Sequence, residues 1–243
     1  MSIAEKLQTI AENEQKVYES GKQAEYDRFW DTYQNNGTKE SYYYTFVDWK
    51  KANFKPKYDI VPTKCQGTFQ YLFDGDGEPV DFVELLDELG ITIDFSKVYG
   101  INQYTFSYAN ISHLGVLNFG AITSLAWFME YTPIVKVDKL IIPSNGVCTF
   151  DNAFRNMTEL EEIYFEGVIG QNVSFHSSTK LKKAPIQNIF SVLSDTTTSK
   201  TLTLKLDAVD RAFESSKGAF DGSVTEEWLN LVATKPNWTI SLA

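Results

Sequence analysis

A repeated spacing of apolar residues limits the folds open to this chain more than any other feature. From residue 108 onward, apolar side chains recur at a starting position and then 3, 6, 9 and 11 residues later, in copies that begin at residues 108, 128, 154 and 175. Within a copy, this spacing predicts a helical turn followed by a short strand. One such unit cannot bury its apolar face alone, whereas stacked units share a continuous core. We therefore expect an α/β fold in which residues 106–190 form a short, irregular solenoid.

The distances between the copies indicate the type of repeat. A period of about 20–29 residues is typical of leucine-rich repeats. Two copies depart slightly from the pattern, because Leu140 comes one residue late and Ser178 takes an apolar position. The residues expected in the shared core are Tyr108, Leu114, Leu117, Phe128, Ile134, Phe154, Leu160, Ile163, Leu181 and Ile186.

Residues 1–36 carry a heptad pattern. Apolar residues follow one another at intervals of seven, which is the sequence signature of a coiled coil, and Ser2 with Glu5 forms a capping box at the start. Because Glu14 and Gly21 weaken the second seam, two interpretations stay open: an oligomerisation or anchoring helix, or an amphipathic helix folded back on its own domain. The predicted seam comprises Ile3, Leu7, Ile10, Val17 and Ala24.

Residues 37–105 are rich in aromatic side chains, with Tyr42, Phe46 and Trp49 lying close to Lys50 and Lys51. Rings interleaved with lysines can stack on the bases of a single-stranded nucleic acid. The alternative is a hydrophobic plug over one end of the core, and the acidic balance of the chain favours it. We therefore predict an N-terminal cap over residues 37–105.

The last part of the chain, residues 191–243, has the pattern of a closing cap. Residues 201–206 alternate polar and apolar side chains, which predicts a strand with one buried face. Residues 224–231 follow a helical pattern, and residues 238–242 alternate again. Stacked repeats need a terminal unit with a polar outer face, and a β-α-β cap would supply it.

Composition and charge exclude several functions. The chain has 22 Lys and Arg against 32 Asp and Glu, which gives a net charge of −10. Such a chain repels phosphate backbones and anionic lipid surfaces, so we expect no nucleic-acid partner and no membrane insertion. The first residues lack the basic start and apolar run of a signal peptide. We therefore expect synthesis in a cytoplasm, with Cys65 and Cys148 reduced.

No segment of the sequence has the residue types of a catalytic, cofactor or metal site. The acidic run from Asp74 to Glu78 does not place ligands at the positions of an EF-hand loop in either register. His176 lies beside two serines, but a catalytic triad depends on geometry and not on adjacency. Carboxylate pairs could serve a glycosidase, yet such pairs arise freely among 32 acidic residues. We therefore expect no catalysis, no cofactor and no metal.

The segment from Thr149 to Ile163 resembles the BspA-like leucine-rich repeats of bacterial surface proteins and of phages of gut Firmicutes. The opening segment, residues 3–37, looks like the leader of phage- and prophage-encoded members, and the closing residues 202–204 and 237–240 are similar to their C-terminal cap. The resemblance implies a non-enzymatic binding or structural protein. Because lysis releases virion proteins without a secretion signal, it also points to a phage particle.

Three functions follow from these observations as hypotheses. The first is a head-fibre, tail-fibre or receptor-binding component of a virion, made as a homo-oligomer (a trimer) through the N-terminal helix. Its partners would be other virion proteins and a host-surface protein or glycan. The second is a bacterial leucine-rich-repeat adhesin or protein–protein interaction module. The third, and least expected, is an enzyme that degrades surface polysaccharide.

Overall fold

The computed structural model describes residues 58–73, 77–89, 91–195, 199–213 and 225–243. The predicted helical seam of residues 1–36, the aromatic cluster near Trp49, and Asp74 and Asp76 lie outside these residues. The described chain is a mixed α/β fold of short parallel strands with few helices. It divides into two units. One contains the described residues 58–60, 83–89 and 91–93, and the other contains the described residues among 61–82 and 94–243.

The elements are numbered in chain order. The strands are β1 (Tyr58–Ile60), β2 (Val80–Asp81), β3 (Ile91–Ile93), β4 (Tyr99–Ile101), β5 (Ile111–Asn118), β6 (Ala121–Ser124), β7 (Lys136–Ile141), β8 (Glu162–Glu166), β9 (Val173–Phe175), β10 (Lys200–Leu204) and β11 (Trp238–Leu242). The helices are α1 (Phe82–Leu89), α2 (Lys183–Val192), α3 (Leu206–Phe213) and α4 (Glu226–Ala233), with one 3₁₀ turn at Phe95–Lys97.

The smaller unit holds β1 and β3, which pair in parallel with Tyr58 opposite Ile91. It also contains most of α1. In the sequence, Gly90 follows the last residue of α1, and glycine is the residue type most common just past a helix end.

Three parallel sheets form in the larger unit: β2-β5-β7-β8, β9-β10-β11 and β4-β6. In the first of them, equivalent residues of successive strands lie side by side. Leu114 is opposite Val137, which is opposite Ile163, and all three are completely buried. This register places one row of apolar side chains on the inner face of the sheet. The residues of successive copies therefore share one core.

Nine of the expected core residues are buried, with relative exposures no higher than 3%: Leu114, Leu117, Phe128, Ile134, Phe154, Leu160, Ile163, Leu181 and Ile186. The prediction that Tyr108 lies in the core is wrong, because 38% of its surface is exposed. Its φ of +58° turns the side chain away from the inward direction that the spacing assumed. Phe106, two residues earlier, is completely buried in its place.

The expectation of a helical turn before each strand is also corrected. Within the described part of the repeat region, the segments before β5, β7 and β8 are tight turns and not α-helical turns. Each contains non-glycine residues at positive φ, such as Tyr104, Trp127 and Asn152. A single residue in this conformation reverses the chain within a few residues, which an α-helical turn cannot do.

The C-terminal region follows the predicted order of strand, helix and strand, with one addition. Strands β10 and β11 pair in parallel, and α4 begins after Thr225, whose side chain accepts a hydrogen bond from the Trp228 amide. The addition is α3, which follows β10 directly. The alternating pattern of residues 201–206 predicted a strand up to residue 206, where α3 begins. Helix α2 closes the edge of β8, because Asn188 Oδ1 accepts from the Phe165 amide (2.6 Å) and Asn188 Nδ2 donates to the Phe165 carbonyl (3.2 Å).

Two backbone segments approach so closely that only glycine fits between them. An added Cβ at Gly167 would lie 2.1 Å from the Ile142 carbonyl oxygen, and one at Gly170 would lie 2.4 Å from that of Gly146. Gly167 also has a φ of +109°, which side chains other than glycine rarely adopt. These contacts fix the spacing between the segment after β7 and the segment after β8.

Candidate functional site

Four five-residue turns form the most regular surface of the larger unit: residues 67–71, 104–108, 127–131 and 152–156. We call them turns 1 to 4. In each turn, the first and fifth residues lie in the left-handed region at positive φ. The third residue points into the core and is buried. These third residues are Phe69, Phe106, Met129 and Phe154.

Backbone hydrogen bonds stack the turns in order. In turn 1, the amides of Gly67, Phe69 and Tyr71 donate to carbonyls of turn 2 or the residue before it, at 2.8–3.1 Å. The first, third and fifth amides of turn 2 donate to turn 3 in the same way, and those of turn 3 donate to turn 4. Equivalent residues of neighbouring turns therefore lie next to each other along the stack.

The left-handed positions carry unusually large side chains. The first positions hold Gly67, Tyr104, Trp127 and Asn152, and the fifth positions hold Tyr71, Tyr108, Tyr131 and Asn156. A side chain in this conformation costs about 1–2 kcal/mol per residue, and glycine avoids that cost. Five of these eight positions nevertheless hold an aromatic ring, so the rings must serve stacking, binding or both.

The fifth positions form a stack that we call the tyrosine column: Tyr71, Tyr108 and Tyr131. The ring centroids lie 5.3 Å and then 4.9 Å apart, and the rings are nearly parallel. The guanidinium of Arg155 lies 5.6 Å from the Tyr131 ring centroid and covers its outer face. All three tyrosines are exposed, Tyr71 by 50% of its surface. The column thus presents a row of ring edges to solvent.

At the first positions, Tyr104 and Trp127 form a second stack. Their centroids lie 5.1 Å apart, and the ring planes differ by only 6°. The stack does not continue in either direction as an aromatic column, because turn 1 has Gly67 and turn 4 has Asn152 at the equivalent position. The face of the Tyr104 ring opposite Trp127 is therefore directed toward Gly67, which has no side chain to cover it.

Polar groups lie beneath the tyrosine column at the fourth positions. Ser107 is completely buried and Glu130 is 5% exposed. Burial raises the pKa of the Glu130 carboxyl, although the nearby Arg155 guanidinium and a hydrogen bond from the Ser107 hydroxyl oppose this shift. Partial desolvation and the Glu130 carboxylate raise the pKa of the Tyr108 phenol. The phenol therefore stays protonated at neutral pH and can donate a hydrogen bond.

A separate ionic cluster connects β2, β5 and β7. His113 Nδ1 lies 3.0 Å from the Asp81 carboxylate, and His113 Nε2 lies 3.2 Å from Asp138. Lys136 Nζ lies 2.6 Å from the same Asp138. Burial disfavours ionisation of Asp138, but hydrogen bonds from Lys136 and His113 hold its pKa below the ordinary value. The cluster joins polar side chains across three neighbouring strands of one sheet.

The other residues weighed from the sequence do not come together as a site. His176 Nδ1 contacts the Ser174 hydroxyl at 3.1 Å. Cys65 and Cys148 are buried, and burial raises the pKa of the Cys148 thiol to about 12. Within the described ranges, His, Cys, Asp and Glu side chains form no group of three suited to a metal ion. None of the helices described has both the length and the apolar character to cross a membrane.

The sequence interpretation missed most of the aromatic surface. The apolar spacing assigned Tyr108 to the core and placed Phe128 and Tyr131 in one stripe, although they lie on opposite sides of turn 3. The signal that could have revealed the surface is a pair of Gly, Asn, Tyr or Trp residues four apart around an apolar residue, as in Gly67-Thr68-Phe69-Gln70-Tyr71. Gly and Asn are the residues that best tolerate positive φ.

Comparison with known proteins provides no relative from which a function could be transferred. No protein-family model matches the chain, and no curated protein or solved structure matches it. The exposed aromatic surface of the stacked turns is therefore the basis for a functional assignment.

Proposed function

We propose that this chain is a non-enzymatic virion protein of a bacteriophage, a head-fibre, tail-fibre or receptor-binding component that attaches the particle to the host surface. In this proposal, the stacked turns and parallel strands form a BspA-like leucine-rich-repeat solenoid. The N-terminal helical seam associates with the same seam of other copies to form a trimer, and it also binds other virion proteins. The repeat region faces outward.

The observation that carries the proposal is the aromatic surface of the turns. Tyr, Trp and Arg are the side chains that most often dominate binding energy at interfaces, and this surface combines Tyr71, Tyr108, Tyr131, Trp127 and Arg155. The rings are held in place by stacking and by the backbone ladder of the turns. A surface that is ordered before binding loses little conformational entropy when a partner docks.

Charge supports a host-surface partner over a nucleic acid. The chain is acidic, with a net charge of −10, and a polyphosphate ligand would be repelled. A protein or a glycan of the host surface needs no basic patch on its partner. We therefore propose that the protein has no nucleic-acid partner and does not insert into a membrane.

Mass spectrometry of purified phage particles tests the location. We expect peptides of this chain in particles, in a fixed stoichiometry to the capsid protein. Particles that lack the chain, from a strain that expresses it, would contradict the virion assignment. An intracellular or cell-wall location would favour the interaction module or the adhesin.

Light scattering of the full-length protein tests the oligomer. We expect the molar mass of a trimer for the wild type and that of a monomer for Ile10→Asp combined with Val17→Asp, because a carboxylate in the seam prevents helix association. The matched control places the same residue at a position outside the seam, Gln8→Asp. A monomeric wild type would contradict the role of the seam without touching the repeat region.

A further inference from the structure

We propose that the Tyr104 ring face beside Gly67 is a binding subsite for one neutral pyranose ring of a host-surface glycan. This inference rests on the proposed function and deepens it, because it names the ligand class and the place where that ligand binds. We call the position the Gly67 gap. It is bounded by Gly67, Gln70 and Tyr104.

The geometry of the stack defines the gap. Tyr104 and Trp127 occupy equivalent positions in neighbouring turns, and their rings stack at 5.1 Å. Gly67 occupies the next equivalent position, since its amide donates to the Gln103 carbonyl (2.9 Å) just as the Tyr104 amide donates to the Ala126 carbonyl (3.3 Å). The place where a third ring would stack therefore lies beside Gly67, on the Tyr104 face opposite Trp127.

The space at this position is open in the described part of the chain. A Cβ built on Gly67 would have one described atom within 4 Å, Gln70 Oε1 at 3.5 Å. The backbone there also accepts side chains elsewhere in the stack: Gly67 has a φ of +60°, and Tyr104 and Trp127 have +57° and +51°. Glycine at this position is therefore not required by the backbone of the turn, and its effect is to leave one ring face uncovered.

The surroundings of the gap fit a neutral sugar. A pyranose has an apolar face of C–H groups, which packs on the electron-rich face of an aromatic ring. Its hydroxyl groups need a few fixed polar partners, and the gap offers the side-chain amide of Gln70. The net charge of −10 opposes an acidic polymer. A neutral pyranose, with an apolar C–H face and hydroxyl groups at its edge, satisfies these conditions.

The structure provides a pair of matched variants. Gly67→Tyr adds a ring that fills the gap, and Asn152→Tyr adds the same ring at the other end of the same stack. Both substitutions are at first positions of turns with positive φ, +60° and +52°, so the backbone cost is similar. Both place tyrosine where neighbouring turns already have aromatic residues, and circular dichroism with thermal unfolding verifies that each variant is folded.

The experiment measures binding of the full-length protein to a printed array of neutral and acidic pyranose oligosaccharides, followed by calorimetry with the best-bound neutral one. We expect binding to neutral oligosaccharides, a loss of affinity of about tenfold or more in Gly67→Tyr, and wild-type affinity in Asn152→Tyr. Tyr104→Ala should lose binding as Gly67→Tyr does. Equal affinities of the two tyrosine variants, selective binding of acidic oligosaccharides, or no binding to any neutral one would overturn the inference.

Adhesion to host cells separates this inference from the proposed function. If the wild type adheres to host cells and Gly67→Tyr adheres equally well, the subsite is wrong and the attachment role stands. Adhesion that survives removal of the surface glycans and is abolished by protease treatment of the cells would identify a protein receptor and would likewise overturn the subsite. If the wild type does not adhere to the host at all, the attachment role itself fails.

Discussion

The close contact at Gly167 allows a prediction whose magnitude follows from the structure. In Gly167→Ala, the new Cβ would lie 2.1 Å from the Ile142 carbonyl oxygen and 2.9 Å from its carbon. Both are backbone atoms, so the segment after β7 must move. Overpacking of this kind costs about 1–3 kcal/mol, and alanine at a φ of +109° adds about 1–3 kcal/mol. We expect a total loss of roughly 2–6 kcal/mol of unfolding free energy.

Three further glycine-to-alanine variants separate the two causes. Gly170→Ala keeps an ordinary φ but brings its Cβ to 2.4 Å from the Gly146 oxygen, so it measures the clash alone. Gly100→Ala has a φ of +74° and no described atom within 4 Å, so it measures the backbone cost alone, about 1–2 kcal/mol. Gly120→Ala has neither feature, and its effect should stay within about 0.5 kcal/mol.

Urea unfolding followed by circular dichroism and tryptophan fluorescence provides the assay. In a matching thermal scan, a chain of this size loses about 2–4 °C of melting temperature per kcal/mol, so Gly167→Ala should melt about 4–24 °C below the wild type. The reasoning is refuted if Gly167→Ala is no less stable than Gly100→Ala. That result would mean that the segments after β7 and β8 do not approach as described.

Three other substitutions test the environments of single side chains. Burial raises the pKa of Glu130, so the folded protein binds this proton more tightly than the unfolded chain does. The wild type therefore loses stability as the pH rises from the unfolded-state pKa through the folded-state pKa. In thermal melts, Glu130→Gln should have a higher melting temperature than the wild type at pH 7, and this difference should vanish in acid. Asn188→Ala leaves the Phe165 amide and carbonyl without their partner and should cost about 1–3 kcal/mol in urea unfolding, whereas an unchanged midpoint would show that the β8 edge needs no cover. Tyr131→Asn removes a ring stack but lowers the strain of the left-handed position, and calorimetry should find its stability within about 1 kcal/mol of the wild type.

The sequence predicts the elements that depend on burial. Strand β11 was expected at residues 238–242 and lies there, and Leu114, Leu160 and Ile163 are buried as their spacing indicated. Apolar spacing is informative here because each of these residues lies on a strand or next to one, where side-chain direction follows from position along the chain. The parallel pairing of successive strands follows from the same repeat.

The sequence does not predict the turns for a physical reason. Spacing rules assume that a side chain's direction depends only on its position in a helix or strand, and one residue at positive φ breaks that assumption. Tyr108 has the apolar spacing of a core residue and points outward, while Phe106 enters the core. Asn152 and Gly67 are recognisable as turn residues, but Tyr104 and Trp127 are not, because bulky residues seldom adopt this conformation. The candidate surface therefore depends on information that spacing does not contain.

The conformational cost of the aromatic residues in the turns can be compared with the energy that their stacking returns. A ring at a left-handed position costs about 1–2 kcal/mol, and a stacked pair returns about 0.5–1.5 kcal/mol. Tyr108 has a ring on either side, so its stacking energy is of similar size to its conformational cost. Tyr71 and Tyr104 have one stacking partner each among the described residues, so stacking offsets less of their conformational cost. Glycine or asparagine would fold these turns at least as well, as Gly67 and Asn152 do in the same stack. Folding stability alone therefore does not account for the aromatic residues, which supports the proposal that they form a surface for binding.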